Sequence, residues 1–260
     1  MDAKDLRNVA LLGHSGSGKT SLGEAALFIT KATTRLGTIS DGNTVSDFEP
    51  EEIKRGGSIQ TTLISVVEGD AKINFLDTPG YDDFLGEVVS ALRVVEGAVI
   101  VVAAPTGVDV GTEKAWNMCE ASQIPRMFVV NKMDRENAEF SKNVSDIQAS
   151  FGRQCIPFQV PLGNAQDFKG VVSIVDPPAV IPEEVAEEVA EARERLTEAA
   201  AESDDELADR YLSGEELSAE KVIAGVRTSV VAGELVPIVA SASAPQGVGI
   251  EEFLETTRSF

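Results

Sequence analysis

The chain has little of what would place it outside a reducing, aqueous compartment. Only two of its 260 residues are cysteine, Cys119 and Cys155, far apart and outside any CxxC pattern. That argues against a disulfide framework and against a cysteine zinc site. No apolar run follows Met1-Asp2-Ala3-Lys4, and none elsewhere approaches the length that spans a bilayer. A chain that is neither secreted nor membrane-spanning is therefore expected, in the cytoplasm. Basic residues are scarce too. The 22 Lys and Arg face 43 Asp and Glu, a formal net charge of −21, which argues against broad electrostatic adhesion to DNA or RNA and for solubility or a basic partner. A locally basic nucleic-acid contact stays open. Hydrophobic residues are plentiful, at 43% of the chain, enough for one large or two small domains with a real core.

The chemistry is organised around Gly13-His14-Ser15-Gly16-Ser17-Gly18-Lys19-Thr20, which fits the phosphate-loop pattern GxxxxGK[ST]. Val9 to Leu12 before it reads as a buried strand and Ser21 to Ile29 after it as a helix, the setting that the pattern requires. Glycines let the backbone turn its N–H groups onto a phosphate chain, and the helix adds its positive end to the same anion. Lys19 is expected to reach the terminal phosphates and Thr20 a magnesium ion. Lys31 to Ser58 then reads as a long exposed connection, within which Arg55-Gly56-Gly57-Ser58 is a hinge able to bring the Ser58 hydroxyl onto the metal. Ile59 to Val67 and Ala71 to Leu76 flank the Glu68-Gly69-Asp70 turn as a hairpin. The second strand ends at Asp77-Thr78-Pro79-Gly80. There Asp77 is expected to hold magnesium through water, and Gly80 to offer its backbone N–H to a γ-phosphate.

Gly97 to Ala104 is a strand covered on both faces, Glu113 to Ala121 a helix, and Arg126 to Val130 a strand ending in Asn131-Lys132-Met133-Asp134. This NKxD at the carboxyl edge of a central strand carries base chemistry. The Asp134 carboxylate can accept from guanine N1–H and its amine, an edge that adenine lacks, while Asn131 braces the loop and the Lys132 stem covers the ring. Phe140 to Phe151 is an amphipathic helix, after which Ile156 to Leu162 and Gly170 to Val175 are short strands. Pro177, Pro178 and Pro182 then precede a long helical tract. In Glu183 to Ala201 an apolar line at Val185, Val189, Ala192 and Leu196 opposes an acidic line at Glu184, Glu187, Glu191, Glu194 and Glu198. That line is either a solvated face or a docking surface for a basic partner. Leu207 to Leu212 and Lys221 to Val231 are helices, and Leu235 to Ala240 returns as a buried strand. Ser241-Ala242-Ser243-Ala244 at its edge can turn backbone N–H groups to guanine O6, and Gly247 to Phe260 closes as a helix.

In this order GHSGSGKTSL, KRGGSI, DTPGYDDF, NKMDRENAEF and SASA resemble the five nucleotide motifs of translational GTPases, and of elongation factor G and its relatives in particular. FKGVVSIVD, the acidic helix and DELADRYLSGEELSAEK are similar to the inserted G′ subdomain of that family. Ribosomal-protection factors and the back-translocase lack a comparable insertion. The resemblance implies an α/β fold, a P-loop NTPase G domain whose mostly parallel central sheet is flanked by helices. It divides the chain into a first part at 1–154, an inserted α+β G′ subdomain at 155–233 and a closing strand and helix at 234–260.

The resemblance also implies a monomeric fragment of a longer multidomain protein, a GTPase that binds GTP or GDP with Mg²⁺. Residues 13–21 (ending at Ser21), Asp77, Asn131, Lys132, Asp134 and 241–244 would bind nucleotide; Thr20, Ser58 and Asp77 would bind the metal; Lys19, Gly80 and Tyr81 would be catalytic. His14 takes a binding position beside the phosphates. The partners implied are the ribosome, through the large-subunit rRNA loop at the switch region, and the basic stalk protein at the G′ helix. Three departures stand out: Ser58 replaces the Thr of RGIT, the last motif offers both Ser241-Ala242 and Ser243-Ala244 as the guanine-facing pair, and Tyr81 follows DTPG where the family has His. A phenol titrates near about 10 and an imidazole near about 6.5, so Tyr81 can orient water only through its hydroxyl. The DTPGY form resembles a divergent subgroup, and it keeps open a ribosome-binding module that hydrolyses GTP weakly.

Overall fold

A computed structural model describes the chain apart from residues 1, 3–4, 203–204, 214–216 and 245–246; the middle of the G′-like stretch DELADRYLSGEELSAEK thus lies outside the described residues. The elements are β1 (Leu6–Leu12), α1 (Lys19–Ile29), α2 (Pro50–Arg55), β2 (Thr62–Glu68), β3 (Ala71–Asp77), α3 (Leu85–Ala91), β4 (Gly97–Ala103), α4 (Val110–Ser122) and β5 (Arg126–Asn131). They continue as α5 (Phe140–Phe151), β6 (Cys155–Pro157), β7 (Gln159–Leu162), β8 (Gly170–Ser173), α6 (Ala186–Ala201), α7 (Asp205–Leu212), α8 (Ala219–Ala232), β9 (Val236–Ala240) and α9 (Ile250–Ser259).

Seven strands form one sheet in the order β2-β3-β1-β4-β5-β9-β6. Only β2 runs antiparallel, through the hairpin to β3. Strand periodicity sends alternate side chains to two cores. Val9, Leu11, Val99, Val101 and Val129 meet α1 and α9 on one face; Ala10, Leu12, Ile100, Phe128 and Val130 meet α3, α4 and α5 on the other. Phe75, fully buried, stacks on Phe253 at 5.6 Å, and burying a ring of that size contributes about 1.5–3 kcal/mol. Among the described residues no helix is long and apolar enough to cross a membrane. Cys119 and Cys155 are buried free thiols that burial pushes up to about 12, so they pack and do not react.

The structure departs from the sequence reading at three places. The connection from Lys31 to Ser58 is not simply exposed. It contains α2, capped by Glu49 and Glu52 in a reciprocal box, opened by Pro50 and stopped at Gly56 with φ 68°, and it buries Thr44, Ser46, Asp47, Glu52 and Ser58. The strand β2 starts at Thr62 and not at Ile59, because the Ile59 and Gln60 N–H groups donate to Glu52 Oε1 and the Thr61 N–H to Glu87 Oε2. The stretch Ile156 to Leu162 is two strands that part at Phe158. Cys155–Pro157 pairs with β9 at the edge of the main sheet, whereas β7 pairs with β8 in a separate hairpin. Residues 155–157, read above as the head of the insertion, are therefore sheet. The segment between β6 and β9 shares the main core, since Val160, Val172, Val189, Leu196 and Val226 belong to the same apolar cluster as Leu11 and Phe75.

Candidate nucleotide and metal site

The strand order reverses at β1, which has β3 on one side and β4 on the other, and the crevice beyond the carboxyl ends at such a point is where open α/β sheets bind ligands. The loop after β1 lies there. Gly13, Gly16 and Gly18 have φ of 132°, 79° and 102°, a region that side chains disfavour. A Cβ on Gly13 would collide with the Val101 carbonyl and one on Gly18 with the Asn131 amide, so neither position admits any other residue. Lys19, 6% exposed, donates to the carbonyls of Gly13 and His14 at 3.0 and 3.1 Å. Burial lowers its pKa to about 8 despite the opposing pull of Asp77, so a phosphate arriving there would stabilise the charged form. Ser17 Oγ is buried within the loop, Ser15 lines it, and Ser21 lies in the first turn of α1. His14 points outward, its Nδ1 4.0 Å from Asp109 Oδ1.

A cluster of hard oxygens sits at the start of α1. Thr20 Oγ1 donates to Asp77 Oδ2 at 2.7 Å and lies 3.3 Å from Ser58 Oγ, which in turn donates to Asp47 Oδ1 at 2.7 Å. Among the described residues, Asp77 Oδ1 and Asp47 Oδ2 are buried without a hydrogen-bond partner. Burial raises Asp77 to about 6 and Asp47 above the ordinary carboxylate range. Two hydroxyls and two partnerless carboxylate oxygens are the donor set that suits Mg²⁺. Asp47 is the member that the sequence did not single out; an acid in a polar loop carries no distinguishing pattern. Gly80 abuts the loop after β1 so closely that a Cβ would stand 2.6 Å from Lys19 Nζ and 2.7 Å from Ser15 N.

At the other end of the crevice Asn131, 1% exposed, joins three loops. Its Nδ2 donates to the carbonyls of Ser17 and Gly18 at 3.4 Å each. Its Oδ1 accepts from Lys132 N, Ser241 Oγ, Ser243 N and Ser243 Oγ at 2.8 to 3.2 Å. Both serines of SASA therefore face Asn131. The N–H groups of Ser241 and Ala242 are engaged by Val130 and Val248 carbonyls. Lys132, at φ 63°, lays its stem along the loop and donates to Gly16 O at 2.6 Å. Asp134 meets Arg135 through Oδ2 at 3.4 Å, while its Oδ1 is buried without a partner among the described residues, a waiting acceptor of the kind that a guanine edge needs.

Sequence reasoning missed what orders 31–61. Glu24, 1% exposed in α1, accepts from Gly37 N at 3.1 Å and from Val45 N at 2.5 Å. Glu52 and Glu87 hold the far end, as described above. The available signal was an acid among the buried apolar residues of α1, Leu22, Ala25 and Ala26. In and just before α6, Val185, Val189 and Leu196 are buried and Glu184, Glu187, Glu191, Glu194 and Glu198 are exposed, so the two lines do lie on opposite faces.

Comparison with known proteins matches residues 4–260 to the model of the elongation factor Tu GTP binding domain. Elongation factor G of Thermotoga petrophila is 34% identical over a 269-residue alignment that covers 98% of this chain and 39% of the relative, and that of Thermotoga maritima gives the same identity and coverage. A crystal structure of a protein from Thermus thermophilus superposes with a TM-score of 0.91 at 32% identity, covering 99% of this chain and 40% of that one. The chain thus spans about two fifths of the length of the relatives it matches.

Proposed function

The chain belongs to the elongation factor Tu GTP-binding-domain family and is an elongation-factor-G-like translational GTPase domain; from that premise we propose that it binds GTP with Mg²⁺ and hydrolyses it on the ribosome, in the cytoplasm. The observation that carries the reading is Asn131, which ties the phosphate loop to the base-reading loops and leaves the Asp134 Oδ1 acceptor open beside them. In this reading residues 13–21 wrap the phosphates, with Lys19 on the terminal ones. Gly80 gives its N–H to the γ-phosphate, and Asp134 reads guanine under the Lys132 stem, with the 241–244 turn at O6. Thr20, Ser58 and Asp77 would hold Mg²⁺, with Asp47 beside them; bound, the ion neutralises charge on the β- and γ-phosphates. The protein's share of catalysis is positioning and charge stabilisation by the loop and Lys19, with the Tyr81 hydroxyl orienting water.

The exposed carboxylates of α6 support a basic partner, which the family resemblance identifies as the ribosomal stalk protein, and the same resemblance assigns the switch region to the large-subunit rRNA loop. GTP turnover with and without ribosomes tests the reading: stimulation is expected, and equal rates would leave the second reading, a nucleotide-dependent ribosome-binding module. That second reading draws on one observation, the engagement of the Tyr81 ring by Arg55. Asp134→Asn is expected to move preference from guanine towards xanthine nucleotides by about tenfold or more, the worth of a hydrogen bond to a charged group. Unaltered GTP affinity would remove Asp134 from base recognition.

A further inference from the structure

Tyr81 stands where the sequence departs from its family, and its surroundings are specific. The Arg55 guanidinium carbon, at the end of α2, lies 5.2 Å from the centroid of the Tyr81 ring and 5.2 Å from that of the Phe84 ring. Its Nη2 is 3.9 Å from Asp83 Oδ2. Beside it, a Cβ on Gly57 would stand 3.3 Å from Tyr81 Cε2, so the tyrosine ring fills the space that a side chain at position 57 would take. One permanently charged group of the 31–61 segment is therefore seated on two rings and a carboxylate of the segment after Asp77. Three residues beyond Arg55 is Ser58, whose hydroxyl is 3.3 Å from Thr20. The backbone between them is fixed by Gly56 and Gly57, whose N–H groups donate to Glu52 O at 2.8 and 3.2 Å.

We propose that Tyr81 is a positioning residue: with Phe84 it seats Arg55 and so holds Ser58 at the Thr20–Asp77 oxygens, making the two segments around the γ-phosphate close as one body. The aromatic face does this work and the hydroxyl does not. An imidazole at position 81 offers a smaller face, and once protonated it repels the guanidinium. The proposal rests on the nucleotide reading above, since Ser58 matters only if a metal-bound nucleotide lies against it.

The test uses the chain with a fluorescent GTP analogue. It measures the Mg²⁺ concentration that half-slows nucleotide release, beside the affinity for the matching GDP analogue without Mg²⁺. Arg55→Ala and Tyr81→Ala are each expected to raise the Mg²⁺ requirement about two- to fivefold, the range for a partly exposed cation–ring pair. The double variant is expected to go no further than the larger single one, because both remove the same contact. Tyr81→Phe keeps the ring and should keep the wild-type requirement, and the Mg²⁺-free GDP affinity should not move in any variant. Multiplying effects in the double variant, a Phe substitution as damaging as Ala, or an unmoved requirement in Tyr81→Ala would each overturn the proposal. Wild-type protein that ignores Mg²⁺ would overturn the nucleotide reading, and this proposal with it.

Discussion

The two ends of the site are held by different means. At one end a neutral amide, Asn131, gathers the loop after β1, Lys132 and two serines through bonds to backbone and hydroxyl. At the Thr20–Asp77 end the 31–61 segment hangs on carboxylates: Glu24 takes Gly37 and Val45, Glu52 takes Glu49, Ile59 and Gln60, and Glu87 takes Thr61. A neutral brace carries little desolvation cost and does not titrate near neutrality, so it suits a frame that stays put. A buried carboxylate is costly to dehydrate and loses less when its segment swings out to water, so it suits a part that opens.

The comparison breaks most sharply at Asn131. Asn131→Ala would leave buried donors without an acceptor at about 1–3 kcal/mol each, so nucleotide affinity should fall by at least about 100-fold, read by titration with a fluorescent GDP analogue. A loss below tenfold would mean that the loops hold their places without the brace. Next comes Glu52→Ala, which removes the acceptor of three N–H groups. About 1–3 kcal/mol of local order should be lost, seen as faster amide exchange at Ile59 and Gln60 with Asn131's neighbours unchanged. Equal loss at both ends would erase the distinction drawn between them.

The smallest effect is one of pH. Burial holds the Glu24 carboxyl above the ordinary range, so the closed segment binds its proton more tightly than an opened, solvated one does. Protonation therefore favours closure: the contribution is fully present below the solvated carboxyl's pKa and is lost as pH rises through the raised one. Exchange at Gly37 and Val45, corrected for its intrinsic rate, should slow on acidification in wild type and show no such trend in Glu24→Gln. The opposite slope would refute the assignment.

What the sequence made legible follows the same division. That Gly13, Gly18, Lys19, Thr20, Asp77 and Asn131 meet in one crevice could be anticipated, because their motifs fall at the ends of strands read as neighbours in one sheet. The run of apolar residues in β1, β4 and β5 gave the sheet, since each strand is buried on both faces. The 31–61 segment reads as open because its order comes from Glu24 and Glu87, acids distant in sequence, and from no periodicity of its own. Similarly, Ile156 to Leu162 looks like one apolar strand. Only the pairing of Cys155–Pro157 with β9 reveals that the chain leaves the sheet at Phe158.

That pairing has a consequence for how the chain assembles. The strand β9 lies between β5 and β6 but follows β6 by roughly 80 residues, and β6 sits at the sheet edge paired with β9, so β6 cannot join the sheet until β9 has been made. Until then β5 presents an unfilled edge. Ser241 and Ser243 arrive with β9, so the frame around Asn131 is the last piece of the site to be supplied during synthesis, and the P-loop waits for it.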